Sequence, residues 1–141
     1  MYENQHGRFV DISEKAGIYG SVIGFGLGVT VGDVNMDGWP DIYISNDFYE
    51  RDYLYLNNKN GTFAEALTEA MPHTSNFSMG ADMADINNDG LPDIFVTDML
   101  PQDLQRIKQT TNFTTYDQYQ LTLRNGFHHQ AMRNTMQLNN G

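Results

Sequence analysis

Short runs of β-branched and aromatic residues alternate with polar segments along most of the chain, a pattern typical of β-strands joined by turns. The clearest runs are D-I-Y-I-S and D-I-F-V-T. Each follows a polar loop, and each loop follows another strand-like stretch. The pattern therefore predicts strands at residues 28–32, 41–45, 53–57, 62–65, 80–84, 93–97 and 134–139.

This pattern repeats after 52 residues. At that offset Phe25 aligns with Phe77 and Gly28 with Gly80, and conservative apolar pairs continue beyond them. A glycine turn before a short strand also recurs, as N-Q-H-G-R-F near the start and N-K-N-G-T-F further on, and L-N-N returns near residue 138. Repeats of this length made of short strands indicate a propeller or a solenoid.

Four antiparallel strands in a repeat correspond to one propeller blade. We predict an all-β fold, a segment of a β-propeller with about two four-stranded antiparallel blades, in which residues 1–141 form a single repeat segment. Residues 1–23 are assigned to the last strand of a preceding blade plus a linker. Residues 24–70 form the first blade, and residues 71–141 form a second blade that stops just before its last strand. An open edge there predicts that the segment either self-associates or is poorly ordered at both ends.

The second repeat carries an insertion at about residues 98–133 that we expect to be partly helical. Residues 101–108 have Pro101 in the first turn of a predicted short helix. A second helix is predicted from Thr115, where T-Y-D-Q has the form of a capping box, with Gly126 as its stop. Apolar side chains at helical spacing predict that this helix packs on the blade through one face, at Tyr116, Tyr119, Leu123 and Phe127.

The loop between the first two strands of each repeat has the sequence D-x-N-x-D-G-x-P-D, at residues 33–41 and 85–93. Oxygen-bearing side chains at every second position, followed by a Gly that lets the backbone turn, suit a hard cation. We predict two Ca²⁺ sites. Their ligands would be the side chains of Asp33, Asn35, Asp37 and Asp41 with the carbonyl of Trp39, and those of Asp85, Asn87, Asp89 and Asp93 with the carbonyl of Leu91.

These loops differ from an EF-hand. The twelfth position, which needs a bidentate Glu, is Ile44 or Val96, and Pro40 and Pro92 occupy the place where an exiting helix would begin. A strand follows instead, so we expect no intracellular Ca²⁺ sensor with opening helices. A metal-free Asx turn is the alternative interpretation, and repetition of the whole set disfavours it. Mg²⁺ fits less well because it requires rigid octahedral geometry.

Composition excludes several function classes. The formal charge of −10 argues against a nucleic-acid partner, and six of the eighteen acidic residues lie in the two loops. The absence of Cys excludes thiol catalysis, thiolate metal sites and disulfides. No apolar run is long enough for a signal peptide or a membrane span within this segment.

The sequence resembles a known repeat. F-G followed by G-x-x-x-G-D-x-N-x-D-G-x-x-D is similar to the FG-GAP/VCBS repeat of integrin-α-type propellers, and the stretch from Gly38 to Phe48 with residues 52–58 is similar to bacterial ASPIC/UnbV proteins of the cartilage-acidic-protein kind. The resemblance implies a seven-bladed propeller, Ca²⁺ in the loops, and an extracellular or cell-surface location, with the periplasm as an alternative. The Gly-Ala-Pro element is absent near Ser45, which favours the VCBS/ASPIC branch.

Two functions remain open from the sequence. The first is a Ca²⁺-stabilised scaffold or binding module with an unknown protein or carbohydrate partner. The second is part of a propeller-based hydrolase or lyase whose catalytic groups lie outside this segment. The charged side chains at residues 47–52 are interpreted as a solvated loop with local Arg pairing. No catalytic residue is assigned, although isolated candidates exist at Asp47, Glu50, Arg51, Asp52, His73, His128 and His129.

Overall fold

The computed structural model describes residues 1–110 and 116–141 and consists mainly of β-strands. In chain order the elements are β1 (Tyr2–Gln5), β2 (Arg8–Asp11), β3 (Phe25–Gly32), β4 (Asp41–Asp47), β5 (Tyr53–Asn57), β6 (Phe63–Glu65), α1 (Leu67–Ala70), β7 (Thr74–Ser75), β8 (Ser78–Ala84), β9 (Asp93–Asp98), α2 (Leu104–Thr110), α3 (Tyr116–Arg124), β10 (Gln130–Ala131) and β11 (Thr135–Gln137). Within the described residues, no helix has the length and apolar character needed to cross a membrane.

The first repeat forms a four-stranded antiparallel sheet in the order β3-β4-β5-β6. All four strands lie where the hydrophobic pattern predicts them. The sheet forms because β-branched and aromatic side chains alternate between its two faces, with Tyr43 on one face and Ile42 and Ile44 on the other. Tyr43 and its cross-strand neighbour Leu54 are both buried.

The second repeat forms a three-stranded antiparallel sheet in the order β11-β9-β8. Its register reproduces that of the first sheet, since Gly80 pairs with Thr97 as Gly28 pairs with Ser45. A register shift next to the paired glycine also occurs in both sheets, between Gly26 and Gly28 and between Ser78 and Gly80. The repeat in sequence is therefore a repeat in hydrogen-bonding pattern.

The two sheets contact each other through their first strands and share one apolar core. Thr30 donates its hydroxyl to the carbonyl of Ala81 at 2.6 Å. A Cβ placed on Gly28 would lie 3.2 Å from the Cα of Gly80, so the backbones approach closely there. Side chains of both repeats form this core: Tyr43, Leu54, Leu67, Met71, Ile94 and Val96.

The outer face of β3 is exposed. Its apolar side chains are 52–67% accessible at Phe25, Leu27, Val29 and Val31. The equivalent side chains of β8 are half-buried, and Ala81 and Met83 pack against the shared core. The face that is exposed on the first sheet is therefore, in the second sheet, the face that packs against the shared core. This arrangement is expected of stacked blades in a segment of a β-propeller.

The N-terminal residues form a separate antiparallel hairpin of β1 and β2. From the sequence we expected one strand in this region, and the structure has two. The reason is the turn at His6 and Gly7, whose φ values of 54° and 86° suit a two-residue hairpin connection. The assignment of this hairpin to a preceding blade stays a prediction.

The insertion contains two helices, as expected, and Gly126 follows α3 at a φ of 83°. The placement of Pro101 in the first helical turn is wrong, because α2 begins only at Leu104. The proposed capping box begins at Thr115, which lies outside the described residues. The packing prediction for α3 is wrong: the helix has no buried residue, and Tyr116 is 75% exposed. Tyr119 instead contacts His129. Beyond the helices, the insertion supplies β10, which pairs with β7 in parallel.

Candidate metal centres

The first acidic loop is held by hydrogen bonds from its own backbone to its acidic and amide side chains. The N–H of Asp37 donates to Oδ1 of Asp33 at 3.0 Å and to Oδ1 of Asn35 at 3.1 Å. The N–H of Gly38 donates to Oδ2 of Asp33 at 2.7 Å, and the N–H of Trp39 donates to Oδ1 of Asp37 at 2.9 Å. Three predicted ligand side chains therefore surround one turn.

The second loop repeats this network bond for bond. The N–H of Asp89 donates to Oδ1 of Asp85 and to Oδ1 of Asn87, both at 3.0 Å. The N–H of Gly90 donates to Asp85 at 2.8 Å, and that of Leu91 to Asp89 at 2.9 Å. Both turns also use the left-handed region at equivalent positions, Met36 and Gly38 in the first and Asn88 and Gly90 in the second.

The last acidic residue of each loop is buried. Asp41 and Asp93 have no exposed surface. Asp41 accepts hydrogen bonds from the N–H of Val34 at 3.0 Å and of Asn57 at 2.8 Å, and Asp93 is bonded in the same way by Ile86 and Asn139. These two carboxylates therefore join each loop to the strands behind it.

Sequence reasoning identified the repeated L-N-N element but not its role. The side-chain amide of Asn57 donates to the carbonyl of Pro40 at 3.0 Å, and that of Asn139 donates to the carbonyl of Pro92 at 3.2 Å. Since their backbone N–H groups also bond Asp41 and Asp93, the two asparagines support the buried carboxylates from outside the loops. The recurrence of L-N-N was the signal available for this role.

One difference separates the two loops. Nζ of Lys59 lies 3.3 Å from Oδ2 of Asp37. Desolvation raises the pKa of Asp37, but the N–H of Trp39 and the Lys59 and Asn35 side chains outweigh it and hold the pKa below its ordinary value. The structure gives the second loop no ion pair within the described residues.

The donor chemistry of both loops fits a hard cation, since every predicted ligand is a carboxylate, an amide oxygen or a backbone carbonyl. Among residues 1–110 and 116–141, however, no three acidic or histidine side chains are gathered into a metal-binding group. The loop N–H groups occupy the carboxylate oxygens instead. A carboxylate oxygen that accepts one N–H keeps a further lone pair, so the same side chains can still coordinate an ion.

The charged segment after β4 is not the solvated loop expected from sequence. Asp52 has no exposed surface and accepts hydrogen bonds from Oη of Tyr43 at 2.6 Å, the N–H of Asn46 at 2.8 Å and Oγ of Ser78 at 2.9 Å. Burial raises the pKa of Asp52 to about 6 against the opposing effect of these donors. The chain folds back here to close the contact between the two sheets, so Asp52 is an internal structural group.

The other charged residues of this segment make contacts different from those of Asp52. Asp47 is 9% exposed and accepts a hydrogen bond from the N–H of Phe48. Arg51 is paired with Glu65 and lies 3.5 Å from Glu50, so the expected local Arg pairing is present. The Arg51–Glu65 pair thereby joins the start of β5 to the end of β6.

Two of the three histidines considered as catalytic candidates lie beside each other, although they are far apart in sequence. His73 and His129 line one cavity, next to the β7–β10 pair. The pKa of His128 is lowered by burial and by nearby Arg51 and His129. The insertion brings these residues together across more than fifty positions of sequence, which no local motif could indicate.

Comparison with known proteins supports the repeat. Residues 33–96 match the family model described as the FG-GAP-like repeat. The chain is 36% identical to human integrin alpha-7 over 84 residues, covering 52% of the chain and 7% of that protein. It is 31% identical to mouse integrin alpha-3 over 99 residues, covering 61% of the chain and 9% of that protein. The chain thus spans less than a tenth of the length of these relatives.

Proposed function

We propose that this chain is a Ca²⁺-binding, extracellular β-propeller repeat module that serves as a scaffold or as a protein- or carbohydrate-binding surface. The match to the FG-GAP-like repeat and the similarity to two integrin alpha chains support a propeller binding module. Its assignment to the ASPIC/UnbV kind rests on the sequence resemblance alone. The observation that carries the proposal is the identical network of the two D-x-N-x-D-G-x-P-D loops.

Bound Ca²⁺ would neutralise the three carboxylates of each loop and join the ends of two strands. In the first loop Asp33, Asn35, Asp37 and Asp41 would hold it with the carbonyl of Trp39. In the second, Asp85, Asn87, Asp89 and Asp93 would act with the carbonyl of Leu91. The glycines at positive φ allow the turn that lets successive side chains face one point.

The ligand count also favours a location outside the cell. Without the bidentate Glu of an EF-hand, each loop has fewer oxygens for the ion, so we expect a dissociation constant on the order of 10⁻⁴–10⁻³ M, the range of extracellular modules. A site of this strength is filled only where Ca²⁺ is abundant. The partner would be a protein or a carbohydrate.

Calorimetric titration of the chain with Ca²⁺, together with melting curves in Ca²⁺ and in chelator, tests the proposal. Ligand at about a hundred times its dissociation constant should stabilise the fold by about 2.7 kcal/mol per independent site. Asp37→Asn and Asp89→Asn should each remove one site. Asp103→Asn is the matched control, because Asp103 precedes α2 and accepts the N–H of Gln105, a role that Asn also fills. Unchanged melting with no heat of binding would refute the proposal.

We also propose self-association through strand edges. On one side β11 pairs with β9, and among the described strands no partner lies on its other side. Unpaired backbone groups of this kind are a template for another strand. Sedimentation velocity should show concentration-dependent dimers, and extending the chain by about one strand should abolish them. A strictly monomeric chain would contradict this proposal without affecting the Ca²⁺ sites.

A further inference from the structure

A cavity of about 340 Å³ lies where the insertion rejoins the second sheet. His73, Tyr119, His129, Gln130 and Arg133 are among its lining residues. Of the residues that the structure describes, no Asp or Glu lines this cavity, although the whole chain carries a formal charge of −10. The cavity is therefore a local exception to the acidic character of the protein.

Short parallel strands position the two imidazoles. Thr74 of β7 pairs with Gln130 of β10, and the N–H of Thr74 donates to the carbonyl of His129 at 2.9 Å. His73 and His129 each precede this pair by one residue, which places them side by side. The side-chain amide of Gln137 donates to the carbonyl of His73 at 2.9 Å and anchors that backbone from β11.

The hydrogen bond with Arg133 determines which ring nitrogen of His73 carries the proton. The guanidinium of Arg133 lies 3.0 Å from Nε2 of His73, and because a guanidinium can only donate, Nε2 carries the lone pair and Nδ1 carries the proton. Arg133 forms no ion pair with a carboxylate among the described residues. Its positive charge is left without a neutralising partner, and its remaining N–H donors are available to a ligand.

His129 adds a further donor. Oη of Tyr119 lies 2.8 Å from Nδ1 of His129. When the tyrosine hydroxyl donates to Nδ1, the proton of the neutral imidazole is on Nε2. The cavity is then lined by a guanidinium and two imidazoles that each carry an N–H, without an opposing carboxylate. The Gln130 side-chain amide instead donates to the carbonyls of Phe48, Glu50 and Ser75.

This arrangement favours an anion over a cation. A metal ion would need the Nε2 lone pair of His73, which Arg133 occupies, and would be repelled by the guanidinium. A planar guanidinium instead matches the paired oxygens of a carboxylate or phosphate group. We propose that this cavity binds an oxyanion, a carboxylate or a phosphate, carried on a larger ligand, with Arg133 as the main recognition residue.

The proposal is tested by nuclear magnetic resonance of the histidine side chains during titration with inorganic phosphate and, separately, with acetate, at constant ionic strength. We expect saturable shifts of the His73 and His129 imidazole signals. Arg133→Gln should weaken binding about tenfold or more, as expected for loss of a charge-assisted hydrogen bond. Arg133→Lys keeps the positive charge but loses the paired N–H donors of the planar guanidinium. Its affinity should therefore lie between those of the wild-type chain and Arg133→Gln.

Arg124→Gln is the matched control. Arg124 lies in the last turn of α3, does not line the cavity, and its substitution changes the net charge by the same amount. Saturation by phosphate but not by acetate would assign the site to phosphate-bearing ligands, and the reverse would assign it to carboxylates. Equal weakening in Arg133→Gln and Arg124→Gln, non-saturable shifts with both probes, or saturable binding of Zn²⁺ in place of an anion would overturn the proposal.

Discussion

The side-chain amide of Asn139 donates a hydrogen bond to the carbonyl oxygen of Val34 at 2.6 Å, across 105 positions of sequence. The same amide donates to the carbonyl of Pro92 at 3.2 Å. Val34 belongs to the first acidic loop and Pro92 to the second. One half-buried side chain therefore connects the two candidate metal centres, whereas its counterpart Asn57 bonds Pro40 in its own repeat.

Asn139→Ala should destabilise the chain by about 1–3 kcal/mol, because two backbone carbonyls lose their donor in a partly buried position. It should also perturb the amide signals of both loops. Urea denaturation gives the first quantity and a two-dimensional amide spectrum the second. Asn140→Ala is the control, since Asn140 is exposed. Equal loss of stability in the two variants would contradict the bridging role.

Gly28→Ala should destabilise the contact between the sheets by about 1–3 kcal/mol, because the new Cβ would lie 3.2 Å from the Cα of Gly80 and backbone cannot easily move away. Gly80→Ala is the matched comparison at the equivalent position of the second repeat. There the nearest atom to the new Cβ is Oγ1 of Thr97 at 4.0 Å. Thermal melting should show a larger loss of stability in Gly28→Ala than in Gly80→Ala. Equal losses would show that the close approach of the two backbones does not determine the cost of the substitution.

Lys59→Gln should strengthen Ca²⁺ binding at the first loop a few-fold, because the ammonium 3.3 Å from Asp37 competes with the ion for this carboxylate. The second loop should be unaffected. Titrations followed through the amide signals of Gly38 and Gly90 report each site separately. Lys15→Gln, at an exposed position far from the loop in sequence, controls for the general change in charge. A weaker first site in Lys59→Gln would refute the competition.

Asp52 should make stability depend on pH between about 4 and 6. Burial raises the pKa of Asp52 to about 6 in the folded state, while the unfolded value stays near 3.8. The folded state therefore binds the proton more tightly, so the contribution is fully present below pH 4 and is lost as pH rises through 6. The loss should be about 3 kcal/mol.

Urea denaturation of the wild-type chain and of Asp52→Asn across this pH range, in chelator, isolates that contribution. The difference between the two curves should grow in favour of Asp52→Asn as pH rises, since the amide cannot ionise. Parallel curves would show that Asp52 has an ordinary pKa. Chelator is needed because Ca²⁺ binding at the loops would itself depend on pH and add to the measured change.

Much of this fold could be predicted from local pattern. Strands β3 to β6 and the pair β8 and β9 lie where alternation and β-branched content predicted them, because the strand period of two is set by backbone geometry within each strand. The two acidic loops were also evident, since their residues are contiguous and their turn chemistry depends on neighbouring Asp, Asn and Gly. The repetition at a fixed offset is matched in the structure by equivalent registers in the two sheets.

Other features were decided only by the tertiary structure. Asp52 is polar and follows an Arg, so its sequence context indicated a solvated loop, whereas Ser78 of the next sheet closes over it. Tyr116 lies at helical spacing with other apolar residues but stays exposed, because periodicity identifies a face without showing that any surface meets it.

The sequence by itself determined the strands of the two repeat sheets, their repetition and the two oxygen-rich loops, because each depends on residues a few positions apart. Only the tertiary structure decided that Asn139 reaches Val34 and that His73 lies beside His129. These contacts join residues 56 to 105 positions apart through strands as short as two residues. Such pairings depend on the route of the whole chain, which leaves no periodic signal in the local sequence.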